Sequence, residues 1–513
     1  MKTISVQAMK DVDYRTIHEG GISAQRLMKR AGAGVASEIK YFLEDLPLRH
    51  KQRVVILCGK GNNGGDGYVV ADILSDQIEV AVYSTCPVED LKDDALFYAR
   101  SLLSLNKASY SVKALLKPED FRNGDIVVDA LLGTGTQGPL RAPYDQWISC
   151  LNLAGLPVIA VDIPSGLNGD TGKIESNAVI ADMTVAIAFP KSGMFVNSGP
   201  EVCGSLRCVD IGIPADYSNT LVNAFNVVTQ ADIKDCLQRL PRNSHKGNRG
   251  QVVTIAGSQK YKGAPILTGR AALCSGAGLS VVCVPESAQI SAPICNSLIL
   301  SDVKDSGCGV FSAQSINNIV ENTDSADAIV IGPGLSIDQD VGSIIEIMCS
   351  LNVPLILDAD ALNLISLNKG LYKRRASTVL TPHLGEMKRL LDAFDLSEYQ
   401  GKSRTDQALK LSSLTGAVVV LKGQHTVVAS PDGEWSLNTS GTPALATAGS
   451  GDVLCGVIAA FLAIGMNPYI ASQAGCFVHG LAAELYQGAA RGLVADDLIH
   501  LIPLALRNIN PLA

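Results

Sequence analysis

Aromatic side chains are scarce in this 513-residue chain, where 10 Phe, 13 Tyr and 2 Trp amount to 5% of the residues. Basic charge is in deficit as well, with 42 Lys and Arg against 50 Asp and Glu. A formal charge of −8 excludes a general nucleic-acid surface. It leaves room for a small phosphate-bearing molecule, which local backbone amides can hold whatever the global charge. No Cys-x-x-Cys pair occurs among the 13 cysteines, and their number is odd. Most, such as Cys58, Cys283, Cys455 and Cys476, sit inside apolar runs where a thiol behaves as a small hydrophobe. That usage argues against zinc and against a disulfide frame, and for a reducing compartment. The apolar run Val453 to Ile464 is too short to cross a bilayer, and Met1 to Val6 carries no segment of signal-peptide type. A cytoplasmic protein without membrane or nucleic-acid partners is the expectation.

What the chain has in quantity is glycine, 48 residues, within a composition that is 47% hydrophobic. Small apolar residues build buried parallel sheets with closely packed helices. The length predicts two or three domains. Late in the chain, Thr447-Ala448-Gly449-Ser450-Gly451-Asp452-Val453-Leu454 leads from small residues into an apolar helix. Its glycines let successive amide N–H groups point one way, and the helix dipole adds to them, so the turn can bind an anion. Asp452 in the first turn is then either a dipole partner or a base that takes a proton from an attacking hydroxyl.

In the first half, apolar positions at helical spacing (Ile22, Leu27, Met28, Val35, Ile39, Phe42) predict that the chain opens with an amphipathic helix over residues 22 to 44. Arg53 to Cys58 is a β-branched run suited to a buried strand. It feeds Gly59-Lys60-Gly61-Asn62-Asn63-Gly64-Gly65-Asp66-Gly67, and a helix is expected to start at Tyr68. Gly59-x-Gly61-x-x-Gly64, with Glu79 near the place of a ribose-binding acid, matches the dinucleotide fingerprint. The two amides and Asp66 do not suit a plain pyrophosphate turn; they suit a site that orients a polar ligand or holds a cation through oxygens. Strands Asp125 to Ala130 and Pro157 to Asp162 also end in acids, Asp129 and Asp162, each followed by a glycine-containing loop. In open α/β sheets such ends converge on the ligand crevice.

Gly61-Asn62-Asn63-Gly64-Gly65-Asp66-Gly67, Asp129-Ala130-Leu131-Leu132-Gly133-Thr134-Gly135 and Asp162-Ile163-Pro164-Ser165-Gly166-Leu167 resemble, in order and spacing, the NAD(P)H-hydrate epimerase family. The resemblance implies a Rossmann-like three-layer sandwich that binds a hydrated dinucleotide as substrate rather than as a redox cofactor. It implies a potassium ion held by Asn63, Asp129 and Ser165. Asn62, Asn63, Gly64, Gly65 and Asp66, together with Gly133-Thr134-Gly135-Thr136-Gln137-Gly138-Pro139, would line the substrate, and Asp162 would transfer protons.

The pattern loosens from Ala215 to Asn226, where the boundary is expected, giving domains over 1–215 and 226–513. Beyond it, the basic loop Pro241 to Gly250 precedes a strand and is read as a phosphate contact in preference to a solvated linker. Further strands end in Gly332-Pro333-Gly334-Leu335, Asp358-Ala359-Asp360, Thr381-Pro382-His383 and Lys422-Gly423-Gln424-His425-Thr426. Lys422, closing a buried strand, is a candidate phosphate contact. Asp358 and Asp360 are a metal-linked pair or helix-start acids, His383 is read as a ligand contact, and His479 has no such support.

These segments, with Ser244-His245-Lys246-Gly247 and the Gly449 to Leu454 turn, resemble the ADP/ATP-dependent NAD(P)H-hydrate dehydratase family, which has a ribokinase-like fold. The whole chain, apart from about the first dozen residues and the junction, resembles the fused bifunctional repair enzymes. The resemblance places substrate at Ala264, Gly334 and His383, nucleotide at Lys422, Gly423, Gln424, His425, Thr426, Gly449, Ser450 and Gly451, and catalysis at Asp452. It implies ADP or ATP as co-substrate with magnesium, and NADHX and NADPHX as substrates; a homo-oligomer is the expectation. The sequence departs from that pattern at Ala256, Ser336, Leu384 and Ala444-Leu445, which bears on the shape of the nucleotide pocket. The rival reading is a ribokinase-like small-molecule kinase fused to a non-catalytic dinucleotide-binding module.

Overall fold

The structure, a computed structural model, describes residues 2–45, 53–136, 138–214, 216–217, 225–237, 239–292, 295–373 and 376–512. The chain forms two compact units, Lys2–Phe225 and Asn226–Ala513.

The first unit is built on seven strands: β1 (Arg53–Cys58), β2 (Glu79–Ser84), β3 (Ser109–Val112), β4 (Ile126–Ala130), β5 (Val158–Val161), β6 (Met183–Ile187) and β7 (Ser205–Val209). Their order is β3-β2-β1-β4-β5-β6-β7, and every pairing is parallel. Alternate side chains leave opposite faces of a strand. Accordingly Val54, Ile56 and Cys58 enter one core with the helices Ala24–Asp45 and Asn62–Leu74, while Val55 and Leu57 enter the other with Trp147 of Tyr144–Ala154. Helices on both faces make the three-layer, Rossmann-like sandwich. The strand order reverses beside β1, which places the crevice at its C-terminal end.

Three readings of this half are corrected. A helix, Val6–His18, precedes the expected first one, capped by Ser5, whose hydroxyl accepts from Ala8 N at 3.2 Å. Its mean pattern is polar, with only Met9, Val12 and Thr16 buried, so periodicity gives little sign of it. The helix after β1 starts at Asn62, not at Tyr68, so the glycine-rich segment is itself helical. Glycine is required there by close approach: a Cβ on Gly59 would lie 1.8 Å from Leu131 O, and one on Gly64 2.0 Å from Gly59 O. Glu79 is also disqualified as a ribose-binding acid. It pairs in register with Arg53 at the opposite end of β1 from Gly59 and forms an ion pair with Arg122 at 2.8 Å.

The second unit holds ten strands: β8 (Asn226–Val228), β9 (Gln251–Ile255), β10 (Leu279–Pro285), β11 (Ile299–Val303), β12 (Ala328–Ile331), β13 (Leu355–Leu357), β14 (Thr378–Leu380), β15 (Val418–Leu421), β16 (Thr426–Ala429) and β17 (Trp435–Asn438). They are ordered β11-β10-β9-β12-β13-β14-β15-β16-β17-β8, parallel except where β16 runs against β15 and β17. The helix Ser450–Ala463 is buried at every position from Val453 onward and packs on Gly263–Cys274 and Pro468–Glu484. Gly456 makes this contact possible, since a Cβ there would stand 2.2 Å from Thr268 O. Among the described residues no helix is long and apolar enough to cross a membrane.

Replacing Gly64 with Ala should cost the first unit about 3 kcal/mol or more, because the obstructing atom is backbone and cannot rotate away. Thermal unfolding of the variant would measure it, and a shift of under 1 °C would contradict the packing described.

Candidate active sites

In the first unit the C-terminal ends of β1, β4 and β5 meet. Asp129, at 0% exposure, lies at the end of β4 and spends its carboxylate on the loop after β5. Its Oδ1 accepts from Ser165 Oγ at 2.7 Å and Leu131 N at 3.1 Å, and its Oδ2 accepts from Ser165 N at 2.8 Å. Burial pushes its pKa up to about 6 against these donors. Asn63 reaches the same point: its Nδ2 donates to Leu132 O at 3.0 Å, while its Oδ1 is buried without a hydrogen-bond partner. An orphaned buried oxygen is costly unless something electropositive meets it. Beside the Asp129 and Ser165 oxygens, that donor set fits a hard monovalent cation such as potassium.

Gly133 packs against Asn63, with a Cβ position 3.4 Å from the Asn63 Cβ. Thr136 Oγ1 donates to Gly133 O at 3.1 Å and closes the turn. Thr134, Gly135, Gly138 and Pro139 continue this loop, Gly138 with φ of 74°. Gln137 lies outside the described residues. Asn62, Gly64, Gly65 and Asp66 form the opening turns of the helix after β1, with Gly64, Gly65 and Asp66 buried.

Asp162 follows β5 in the left-handed region, φ 65°. Its Oδ1 accepts from Ile187 N at 3.0 Å and from the ammonium of Lys191. Lys191, 1% exposed, also donates to Ile187 O at 3.2 Å. Sequence reasoning missed this lysine, because Phe189-Pro190-Lys191-Ser192-Gly193 reads as a surface turn. The strand-like contact of Lys191 with Ile4 buries it.

In the second unit the ends of β12 to β15 and the turn before Ser450–Ala463 converge. Gly449 takes φ of 87° as the N-cap, and Asp452 stands in the first helical turn. Lys422, directly after β15, donates to Asp358 Oδ1 at 2.7 Å, and its Nζ lies 3.4 Å from where a Cβ of Gly451 would be. Asp358 stands at the N-cap position of the helix after β13, is 2% exposed, and turns its carboxylate not to the helix but to Lys422 and to Thr381 Oγ1, from which it accepts at 2.7 Å. Burial, then the repulsion of Asp358, pushes Asp452 up to about 7, with Lys422 opposing and Asp360 adding. Asp360 itself accepts from Ser336 N at 2.9 Å. Ser336 holds φ of 72°, a strained value for serine, and its hydroxyl meets Ser258 Oγ, which donates to Gly334 O at 2.8 Å. Gly334, at φ 63°, abuts Tyr261 and Ala264.

His383 is brought beside Lys422 by a parallel bridge, yet its Nδ1 is occupied, accepting from Gly385 N at 2.9 Å as a helix cap. Its Nε2 stands 3.4 Å from buried Glu386, whose pKa burial raises. Gly423, Gln424 and His425 form the turn between β15 and β16, with His425 at φ 50°, and Thr426 opens β16 with its Oγ1 donating to Gly423 O at 3.1 Å. Arg404, from the helix Arg404–Thr415, braces this turn by donating to Leu421 O at 2.9 Å and to Gln424 O. His479 does have a part here: burial drives its pKa down to about 4, so the neutral ring donates Nε2–H to Ser450 O at 2.9 Å. No sequence signal marks either residue.

The phosphate reading of the basic loop fails. Gly250 packs on Ala463, the last residue of the helix whose first turn holds Gly449 to Gly451, and so lies about 20 Å from that turn. The loop precedes β9, and the site lies where the strands end.

Two α/β units, one Rossmann-like with a cation-suited oxygen cluster and one ribokinase-like with a carboxylate beside an anion-binding helix start, define a two-site enzyme of small phosphate-bearing molecules. Residues 252–504 match a family profile described as NAD(P)H-hydrate dehydratase, and residues 24–193 match one described as YjeF-related protein N-terminus. The chain is 35% identical over 527 residues to the bifunctional NAD(P)H-hydrate repair enzyme of Thermofilum pendens, covering 99% of this chain and 97% of that one. It is 32% identical to that of Escherichia coli, covering 96% and 90%. The ADP/ATP-dependent NAD(P)H-hydrate dehydratase of Bacillus subtilis, solved with ATP and magnesium, is 29% identical, with 56% of this chain and 99% of that one covered and a TM-score of 0.48. The chain belongs to the bifunctional NAD(P)H-hydrate repair enzymes.

Lys422→Met should destabilise the second unit by about 3–5 kcal/mol in urea denaturation, since it strands the Asp358 carboxylate in the interior. Adding Asp358→Asn should recover part of the loss, and a single-variant cost below about 1 kcal/mol would contradict a buried pair.

Proposed function

We propose that this chain repairs hydrated nicotinamide dinucleotides: Lys2–Phe225 interconverts the R and S epimers of NADHX and NADPHX, and Asn226–Ala513 dehydrates the S epimer to NAD(P)H. The observation that carries the reading is the placement of Asp452, poised near neutrality beside the Gly449 to Gly451 amides and the Lys422–Asp358 pair. Hydroxide leaves poorly. Asp452 takes the proton of the substrate hydroxyl as that oxygen attacks the terminal phosphoryl group of ADP or ATP. The amides of Gly449, Ser450 and Gly451 stabilise the transferring charge. Loss of phosphate from the phosphorylated intermediate then restores the ring double bond. Lys422 keeps Asp358 and Asp452 from repelling each other, and His383, Gly334 and Ala264 lie on the substrate side.

In the first unit Asp162 moves the proton that epimerisation of the carbinolamine carbon requires. Asn63, Asp129 and Ser165 would hold potassium, which supplies a fixed positive charge at the substrate loops. Magnesium, when bound with the nucleotide, neutralises phosphate charge. The chain is read as a cytoplasmic homo-oligomer without a nucleic-acid partner, the last supported by its charge of −8.

Purified protein given mixed NADHX epimers with ADP, then with ATP, should regenerate reduced-nicotinamide absorbance and release inorganic phosphate in equal amounts. A stable phosphorylated product would favour the kinase alternative. Asp452→Asn should abolish dehydration and spare epimerisation; loss of both in a folded variant would count against independent sites. Because Asp452 must be ionised to accept a proton, dehydration should fall about tenfold per unit as pH drops below about 7. A rate flat from pH 5 to 8 would remove Asp452 as the base.

A further inference from the structure

The first unit gathers three carboxyl groups, Asp66 buried and Asp13 and Asp162 half-buried, about one buried cation. Asp13 comes from the helix Val6–His18, Asp66 from Asn62–Leu74, Asp162 from the end of β5, and Lys191 from the segment after β6. One ammonium can neutralise one carboxylate, and the hydrogen bonds say which. Lys191 and Ile187 N both donate to Asp162 Oδ1, so Asp162 is the ionised partner, with its Oδ2 left without a donor among the described residues. Asp66, 8% exposed, has neither a hydrogen bond to its carboxyl group nor an ion pair among the described residues. Around it lie Asp162, Asp13 and Lys191, and the phenol of Tyr98 feels it from the helix Asp93–Leu105.

Burying a charge without partners is prohibitive, and such a carboxyl neutralises instead. The same environment holds Asp66 well above its ordinary value of 3.8, through burial first and then Asp162 and Asp13 against Lys191. Asp13, less enclosed, rises only to about 6. Neighbouring carboxyls driven to opposite charge states divide acid from base work.

We propose that Asp66 is the acid of the first site, a neutral carboxylic acid that protonates the substrate hydroxyl, with Asp162 as its ionised counterpart and Lys191 as the residue that fixes which is which. The proposal rests on the epimerase reading. In one direction the Asp66 proton passes to the hydroxyl, the C–O bond breaks with its electron pair leaving on water, and the ring-nitrogen lone pair forms C=N. Water then adds to the other face of that carbon, its proton passes to Asp162 Oδ2, and the nitrogen recovers its lone pair. Asp66 ends ionised and Asp162 protonated. Exchange with solvent resets them, so no further reactant is consumed.

The test is Asp66→Asn in the full chain, followed by epimer interconversion and thermal unfolding between pH 5 and 8. Asn keeps the shape and removes the proton, so kcat should fall at least about 100-fold with KM within about threefold. An acid whose folded pKa is raised loses native stability as pH climbs above its unfolded value, a loss that Asn escapes. The variant's midpoint should therefore equal or exceed the parent's, by a margin that grows with pH. Retained kcat, or a midpoint lower by the same amount at every pH, overturns the assignment. Infrared spectra of the unaltered chain at pH 8 need no variant to fold: a buried protonated-carboxyl band is expected, and its absence overturns the proposal. If the parent fails to interconvert epimers, the epimerase reading falls, while the unfolding and infrared results still report the charge state of Asp66.

Discussion

Parallel pairing is the constraint on which everything else here depends. A parallel ladder cannot close by a tight turn; each strand must be followed by a crossover that returns the chain to the starting edge. In the first sheet all pairings obey this, and in the second all but those of β16 do. The crossovers cover both faces, which is why central strands such as β1, β4 and β12 are buried along their whole length, and they deliver the C-terminal ends of the parallel strands to one rim of each sheet. Asp129 and Asp162 come together at the rim of the first sheet, and Asp358 and Lys422 at the rim of the second, for that reason.

The same logic decides what could be read in the sequence. Runs such as Val54 to Cys58 and Val418 to Leu421 are β-branched and bounded by glycine, so strand, direction and ligand end followed directly. The residues that merely brace were not legible. Lys191 sits in a stretch that looks like solvent-facing turn, Asp13 lies on a mostly polar helix, and His479 is one polar residue in an apolar helix. Lys191 and His479 are each defined by a partner more than 25 positions away, and Asp13 by the charges of Lys191 and Asp162, and nothing local encodes that. The basic loop before β9 misled for the opposite reason: its composition suits phosphate, but its place in the topology is the wrong rim.

Both units meet the same electrostatic problem in the same way. Carboxylates gathered at a rim repel, and a single lysine, Lys191 in one unit and Lys422 in the other, binds the member that must stay charged. What remains in each unit is a carboxyl whose pKa burial and its neighbours raise, Asp66 well above its ordinary value and Asp452 to about 7, which is the condition for moving protons. The lysine's reach into the interior is what makes this possible, since its point charge can sit among several acids without demanding a planar partner.

The pairing of β8 with β17 carries a consequence of a different kind. Residues 226–228 open the second unit, yet their hydrogen-bonding neighbour is 436–438, at the far edge of the sheet. During synthesis the first strand to leave the ribosome has no ladder to join until more than 200 further residues have been made and arranged. A nascent chain halted anywhere before that point keeps β8 as an unmatched edge, open to pairing with another copy. The unit is thus closed by its own beginning, and its most vulnerable moment lies just before the last strand is made.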